Sequence, residues 1–110
     1  MTSYNLLNGI HTAERADLLK LILREEWGFD GVVISDWIVS GIKTNTDPKM
    51  HKKQSAIASL LAGNDLIMPG SKEDYDKILK EAYDDLELRK ALLVSSSRII
   101  RMVSKLMESI

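Results

Sequence analysis

The sequence predicts an α/β fold with parallel strands, and the observations behind this are two apolar runs and the helical patterns around them. The runs extend from Val32 to Asp36 and from Asp65 to Pro69. Continuous apolar runs of this length are typical of strands buried on both faces, as in a parallel sheet. Strands that alternate with helices of about 10–15 residues indicate β/α units.

The first third of the chain supplies a strand end, a turn and a helix. Met1 to Tyr4 is interpreted as the end of a further strand, and Asn8-Gly9 is a turn signal. Apolar residues at positions 18, 19, 22 and 23 recur at helical spacing. Gly28 and Gly31 then end this helix and lead the chain into the first complete strand. Trp27, just before that strand, is predicted to be a core residue.

Two further helices are indicated by their capping residues. Asp47 as N-cap, followed by Pro48 at the first helical position, predicts a helix that ends near Gly63. After the second run, Ser71 with Asp74 three residues later forms a capping box and predicts the next helix.

The last segment, from about Glu87 to Ile110, contains neither Gly nor Pro and is the longest helical pattern, with a wide apolar face. The whole chain thus contains about three β/α units. A complete (β/α)8 (TIM) barrel takes about 250 residues. Residues 1–110 are therefore predicted to form a partial barrel with parallel strands and a long C-terminal helix.

Composition excludes several classes of partner. The net charge is −1 and the pI is near 6.1, which gives no electrostatic reason to expect nucleic-acid binding or attraction to an anionic membrane. No apolar run approaches the roughly 18–20 residues of a membrane span. The first residues lack the features of a signal peptide, and the absence of cysteine fits the cytosol and secretion equally well, so the compartment stays unassigned.

The candidate site residues lie at predicted strand ends. Asp36 directly follows a buried strand, where α/β barrels and open α/β sheets build their active sites. An aspartate there is a candidate glycosidase nucleophile, general base or metal ligand, or a loop cap. Trp37 is a candidate sugar-stacking residue or part of the core. If Met1 to Tyr4 is a strand that runs parallel to Val32–Asp36, Tyr4 lies at the same edge as Asp36.

The other polar residues are weaker candidates for a functional site. His11 and His51 are 40 residues apart and have no second ligand at metal-binding spacing, so no metal site and no cofactor are predicted. Asn64-Asp65 follows Gly63 and is interpreted as a turn rather than a site.

Several blocks of the sequence, in order, resemble the N-terminal barrel domain of glycoside hydrolase family 3. The strand-and-loop signature corresponds to residues 1–5 with Asn8-Gly9, and the most recognisable block to Leu23–Trp37. Ala62–Pro69 is similar to the family's final barrel strand, and Arg98–Arg101 to its closing helix.

The resemblance implies a carbohydrate substrate, a β-glucoside or a related β-linked sugar, and a retaining hydrolysis. In the family, the aspartate that matches Asp36 is the catalytic nucleophile. The residue that matches Trp37 lines the sugar cleft, and the one that matches Tyr4 lies near the nucleophile. Both are expected to bind substrate.

The chain departs from the family pattern because no segment matches the acid/base residue or the earlier barrel strands. We therefore expect negligible activity from the chain alone, a need for the remaining domains of a parent enzyme, and self-association through the last helix. Two alternatives remain open. One is a non-catalytic sugar-binding or interaction module, and the other is a different barrel enzyme in which Asp36 is a base or a metal ligand.

Overall fold

The computed structural model describes residues 1–3, 5–37 and 54–110. The described part begins with a short antiparallel hairpin, in which β1 (Leu6–Leu7) pairs with β2 (Ile10–His11). The turn between them confirms the Asn8-Gly9 signal. Both residues have positive φ, 52° and 79°, which a tight hairpin turn requires and which Asn and Gly tolerate best.

Helices make up most of the remaining structure. A 3₁₀ turn (Thr12–Glu14) precedes a π-helix (Asp17–Glu26), and three α-helices follow: α1 (Ala56–Ala62), α2 (Lys72–Asp84) and α3 (Leu86–Glu108). The helix predicted around positions 18–23 is therefore wider than an α-helix. Its last turn shows this directly, because the Trp27 N–H donates to the carbonyl of Ile22, five residues back, at 3.0 Å.

The helix ends follow the capping residues. The Ser71 hydroxyl accepts a hydrogen bond from the Asp74 N–H at 3.0 Å, which confirms the predicted start of α2. Asp85 caps α3 by accepting from the Leu88 N–H at 3.0 Å. α1 ends at Gly63, whose φ of 121° is a conformation that side chains other than glycine's rarely adopt. The predicted start of that helix, Asp47-Pro48, lies outside the described residues.

The predicted parallel strands are not confirmed as regular strands in the described residues. Residues 32–36 and 64–68 meet through one parallel bridge, between Ile34 and Leu66. The described part contains no parallel strand that is longer than this bridge. The reason lies at Val33. Its N–H donates to the Asp65 carboxylate at 2.8 Å, and its carbonyl accepts from two consecutive N–H groups. A side chain thus takes the place of a backbone partner, and the regular ladder stops there.

Backbone hydrogen bonds nevertheless join three segments side by side. The Thr2 N–H donates to the Ile34 carbonyl at 2.9 Å, while the Ser35 N–H donates to the Leu66 carbonyl at 2.9 Å. Residues 32–36 therefore lie between the N-terminal segment and residues 64–68. This central position places Asp36 beside the end of the 64–68 segment.

The core consists of two apolar clusters that share α1. Leu19, Val33 and Ala62 form the first, with Leu23 packed against it. The second is formed by helical residues (Leu60, Ala82 and Leu88, with Ile57, Leu61, Ile78, Ala91 and Leu92 around them). No helix of the described part is long and apolar enough to cross a membrane.

Trp27 does not belong to this core, so that prediction is wrong. Its side chain is 73% exposed. Trp27 is the C-cap of the π-helix and lies beyond the helical turns that pack on Val33 and Ala62. Phe29, two residues later, lies against the π-helix instead. The centroid of its ring is 5.9 Å from the guanidinium carbon of Arg24.

Candidate active site

Asp36 lies at the carboxyl end of the central segment, as the sequence predicts. Its side chain is half-buried, and Oδ1 accepts a hydrogen bond from the Trp37 N–H at 3.0 Å. Within the described part of the chain, no cation pairs with this carboxylate. An acceptor with one backbone donor and no ion pair retains lone pairs that can react with an electrophile.

Ser35 holds Asp36 in place, a role that the sequence did not suggest. Ser35 is almost fully buried, its hydroxyl accepts from the Met68 N–H at 2.8 Å, and it donates to the Asp36 carbonyl at 3.1 Å. The backbone of Asp36 is therefore tied to the end of the neighbouring segment. A serine inside an otherwise apolar run, directly before an acid, is the signal that could have identified it.

Trp37 presents an open aromatic surface next to this carboxylate. Its side chain is 56% exposed, so it is not a core residue in the described structure. An indole beside an acid suits a sugar ring, because the apolar C–H face of the ring packs on the aromatic plane. Tyr4, the third predicted site residue, lies outside the described residues.

The described residues contain no group of three His, Cys, Asp or Glu side chains arranged to hold a metal ion. His11 lies in β2 and is half-buried, whereas His51 lies outside the described part.

A second polar centre surrounds Asp65, at the opposite end of the segments. The Asp65 side chain has no exposed area, and its Oδ2 accepts from Arg24 Nη2 and from the Val33 N–H, both at 2.8 Å. Its Oδ1 accepts from the Ser95 hydroxyl at 2.9 Å and from Arg98 Nη1 at 3.0 Å. One carboxylate thus joins the π-helix, the central segment and α3.

The arginine at this centre is itself deeply buried. Arg24 also donates to the carbonyls of Gly31 (3.0 Å) and Gly63 (3.2 Å), so it closes the C-terminal end of α1. Burial, followed by repulsion from Arg98, lowers the pKa of Arg24, while Asp65 raises it. Arginine is not deprotonated in proteins, so the guanidinium keeps its charge.

Asn64 connects the N-terminal segment to the same region. Its amide nitrogen donates to the carbonyls of Ala13 (2.7 Å) and Ser59 (2.8 Å), and its oxygen accepts from the Thr2 hydroxyl at 2.9 Å. Asn64 and Asp65 are therefore not a site open to a ligand. They are a buried junction, where the sequence indicated only a turn.

The sequence matches a family of known enzymes. Residues 1–103 match the model of the glycosyl hydrolase family 3 N-terminal domain. A β-glucosidase of Rhizobium radiobacter is 40% identical over 100 residues, which are 91% of this chain and 11% of that protein. An exo-α-(1→6)-L-arabinopyranosidase of Bifidobacterium longum is 43% identical over 78% of this chain and 10% of its own length.

Solved structures give the same result. The GH3 β-glucosidase of Bifidobacterium adolescentis superposes with a TM-score of 0.63 at 32% identity, covering 92% of this chain and 14% of that one. The β-glucosidase 3B of Thermotoga neapolitana, solved with glycerol, gives a TM-score of 0.55 at 36% identity, covering 81% and 12%. The chain thus spans about a tenth of the length of the curated relatives it matches, and it belongs to glycosyl hydrolase family 3.

Proposed function

We propose that this chain is part of a retaining β-glycosidase and that Asp36 is its nucleophile. The Asp36 carboxylate attacks the anomeric carbon of the sugar while the bond to the leaving oxygen breaks and that oxygen takes a proton from an acid. The same acid, now a base, then deprotonates a water molecule that releases the sugar from Asp36.

The observation that carries this proposal is the contrast in hydrogen bonding along the central segment. Among the described residues, the Asp36 carboxylate has one donor, from the adjacent backbone, and its main chain is held by the buried Ser35. A nucleophile needs both properties, a carboxylate with free lone pairs and a backbone that fixes its position.

Trp37 and Tyr4 are proposed to bind the sugar. The exposed indole of Trp37 directly follows the nucleophile in the chain and offers a stacking surface. For Tyr4, which lies outside the described residues, this role rests on the family resemblance alone. β-Glucosides are the proposed substrates, since three of the four proteins above are named β-glucosidases and match this chain over most of its length.

Residues 1–110 are proposed to be the C-terminal part of the family's barrel domain, which completes its site with other domains of a parent enzyme. A retaining enzyme needs a second carboxyl group about 5–5.5 Å from the nucleophile, and no segment of this chain resembles the family's acid/base residue. We therefore expect negligible turnover of an aryl β-glucoside by the chain alone. Turnover that the Asp36→Asn variant abolishes would contradict this expectation.

The nucleophile is tested separately, by the intact mass of the chain after incubation with 2-deoxy-2-fluoro-β-D-glucosyl fluoride. Fluoride leaves without protonation, so trapping does not require the missing acid. We expect one fluoroglucosyl group, mapped by peptide digestion to Asp36 and absent from Asp36→Asn. An adduct mapped to another carboxylate would contradict the proposed nucleophile, whereas a folded sample, checked by circular dichroism, that gains no adduct would mean that residues 1–110 form no working site without the remaining domains.

A non-catalytic sugar-binding or interaction module is the second candidate, favoured by the exposure of Trp37. It predicts saturable binding of a β-glucoside that Trp37→Ala removes, without any covalent adduct. The trapping experiment and a binding titration therefore separate the two functions. Metal-dependent activity would instead favour a barrel enzyme in which Asp36 acts as a base or a metal ligand.

A further inference from the structure

Two side chains replace backbone acceptors on either side of the one parallel bridge of the described structure. Hydrogen bonds in a parallel ladder are evenly spaced, so the next donors along the two segments, the Val33 and Met68 N–H groups, are expected to bond to backbone carbonyls. Instead, the Val33 N–H donates to the Asp65 carboxylate and the Met68 N–H donates to the Ser35 hydroxyl, both at 2.8 Å. Each segment therefore lends one side chain to the backbone of the other.

These two contacts, Asp65 with Val33 and Ser35 with Met68, are called the register clamps. Both are enclosed by the protein, because Ser35 is 1% exposed and the Asp65 side chain has no exposed area. Water does not compete for a hydrogen bond in such surroundings, and a buried donor left without its acceptor is costly. The clamps therefore hold the two segments together more firmly than a contact of the same length on the surface.

The alignment of the two segments depends on these clamps. A shift of one residue turns every side chain of a segment to the opposite face, so it would put Asp36 where the buried Ser35 lies. A single bridge opposes such a shift weakly. Each clamp opposes it further, because the shift would separate the Val33 N–H from the Asp65 carboxylate and the Met68 N–H from the Ser35 hydroxyl.

The Ser35 clamp is the last contact of this kind before Asp36. The next ladder donor, the Trp37 N–H, donates to the Asp36 carboxylate at 3.0 Å rather than to the 64–68 segment. Beyond Ser35, no backbone hydrogen bond joins the two segments within the described residues. Because the Ser35 hydroxyl also donates to the Asp36 carbonyl at 3.1 Å, it links Asp36 to the neighbouring segment.

We propose that Ser35 and Asp65 are positioning residues, whose register clamps align the two segments and thereby place the Asp36 carboxylate. Neither acts on the sugar. Both act on the backbone of the central segment, one from the end that carries Asp36 and the other from the opposite end. The consequence for catalysis rests on the proposed function, whereas the alignment itself is measured without any sugar.

The first test is amide hydrogen exchange in the full chain, followed by NMR. In the parent we expect the Val33 and Met68 N–H groups to be as protected as the Leu66 N–H within the bridge. Ser35→Ala is expected to speed exchange at Met68 about fivefold, the effect of one lost hydrogen bond, and to leave Val33 unchanged. Exchange at Val33 or Met68 in the parent as fast as in an exposed loop would overturn the proposal.

The second test measures the orientation of Asp36 through the three-bond couplings of its Cγ to its backbone N and C′, which report the χ1 rotamer. We expect one dominant rotamer in the parent and averaging in Ser35→Ala. Ser95→Ala is the matched control. Ser95 is also buried, and its hydroxyl donates at 2.9 Å to the oxygen of Asp65 that takes no part in a clamp. Averaging in the parent, or equal couplings in the two variants, would overturn the proposal.

The catalytic consequence is measured by the rate of trapping with 2-deoxy-2-fluoro-β-D-glucosyl fluoride. We expect Ser35→Ala to lower the limiting rate at saturating reagent roughly 10–100-fold, the effect of a misplaced reacting group. The half-saturating concentration is expected to change little, and Ser95→Ala to leave both values unchanged. An unchanged limiting rate in Ser35→Ala would overturn the positioning role. If the parent gains no adduct, the proposed function fails in the isolated chain, and the couplings of Asp36 alone decide the proposal.

Discussion

Two aspartates, Asp65 and Asp36, lie at opposite ends of two neighbouring segments and have opposite surroundings. The Asp65 carboxylate has no exposed area and accepts four hydrogen bonds, two of them from arginines. The Asp36 carboxylate is half-buried and, within the described residues, accepts one. The two side chains are chemically the same, so the difference is due to their environments.

The comparison separates the stabilising contacts of Asp65 from the catalytic role that we propose for Asp36. A carboxylate offers about four acceptor positions, and Asp65 uses all of them to join elements that are distant in sequence. It therefore has no remaining capacity to bind a ligand. In α/β barrels, the carboxyl ends of the strands carry the active site while the opposite ends contribute stability. The contacts of Asp65 fit the stabilising role, and the active-site role is the one that we propose for Asp36.

The largest effect is expected from Asp65→Asn. The amide has almost the shape of the carboxylate but no charge, so Arg24 and Arg98 lose their counter-ion inside the protein. Breaking a buried ion pair by removing one partner costs about 3–5 kcal/mol, and we expect the upper end of that range in the free energy of unfolding measured with urea. Asp36→Asn is the matched control, with an expected change within about 0.5 kcal/mol.

An equal decrease in the free energy of unfolding for Asp65→Asn and Asp36→Asn would contradict the contrast between the two aspartates. A large loss from Asp36→Asn would mean that Asp36 also holds the fold together. A small loss from Asp65→Asn would mean that the two arginines reach solvent or other acceptors without it.

The next effect separates the two arginines of the buried centre. Arg24 donates to Asp65, Gly31 and Gly63, whereas Arg98 donates to Asp65 alone among the described residues. We expect Arg24→Gln to cost about 3 kcal/mol and Arg98→Gln about 1.5–3 kcal/mol, the range for one hydrogen bond to a charged group. Urea unfolding of both variants measures this, and a larger loss from Arg98→Gln would contradict the assigned roles.

The sequence predicted those features whose causes are local. Ser71 caps a helix through a residue three positions away, and Asn8-Gly9 forms its turn through its own backbone, so both signals were sufficient. The Asp65 centre depends on partners 30–41 residues away, and no short pattern contains them. For Asp36, position at a strand end and family resemblance indicated the residue, while its support by Ser35 and Met68 required the folded structure.

The smallest effect on stability is expected from the exposed carboxylate of Asp17, whose ion pair differs from that of Asp65 in being open to solvent. Arg15 donates to Asp17 through Nε at 2.7 Å and lowers the pKa of Asp17 to about 2 from its ordinary 3.8. Because this pKa is lower in the folded state, the pair stabilises the fold above about pH 4 and loses this contribution as the pH falls towards 2. Solvent screens the pair, so the stabilisation is small.

A carbon-13 NMR titration of the Asp17 carboxyl group measures this pKa directly. We expect a midpoint near 2 in the parent chain and a return towards 3.8 in Arg15→Gln, since the guanidinium hydrogen bond is the largest cause of the shift. The difference in urea midpoint between the parent and Asp17→Asn should then shrink between about pH 4 and pH 2. A parent midpoint near 4 would mean that Arg15 does not hold Asp17 in solution. In that case Asp65, whose partners are enclosed by the core, would be the one carboxylate of the two that keeps its arginine contacts in solution.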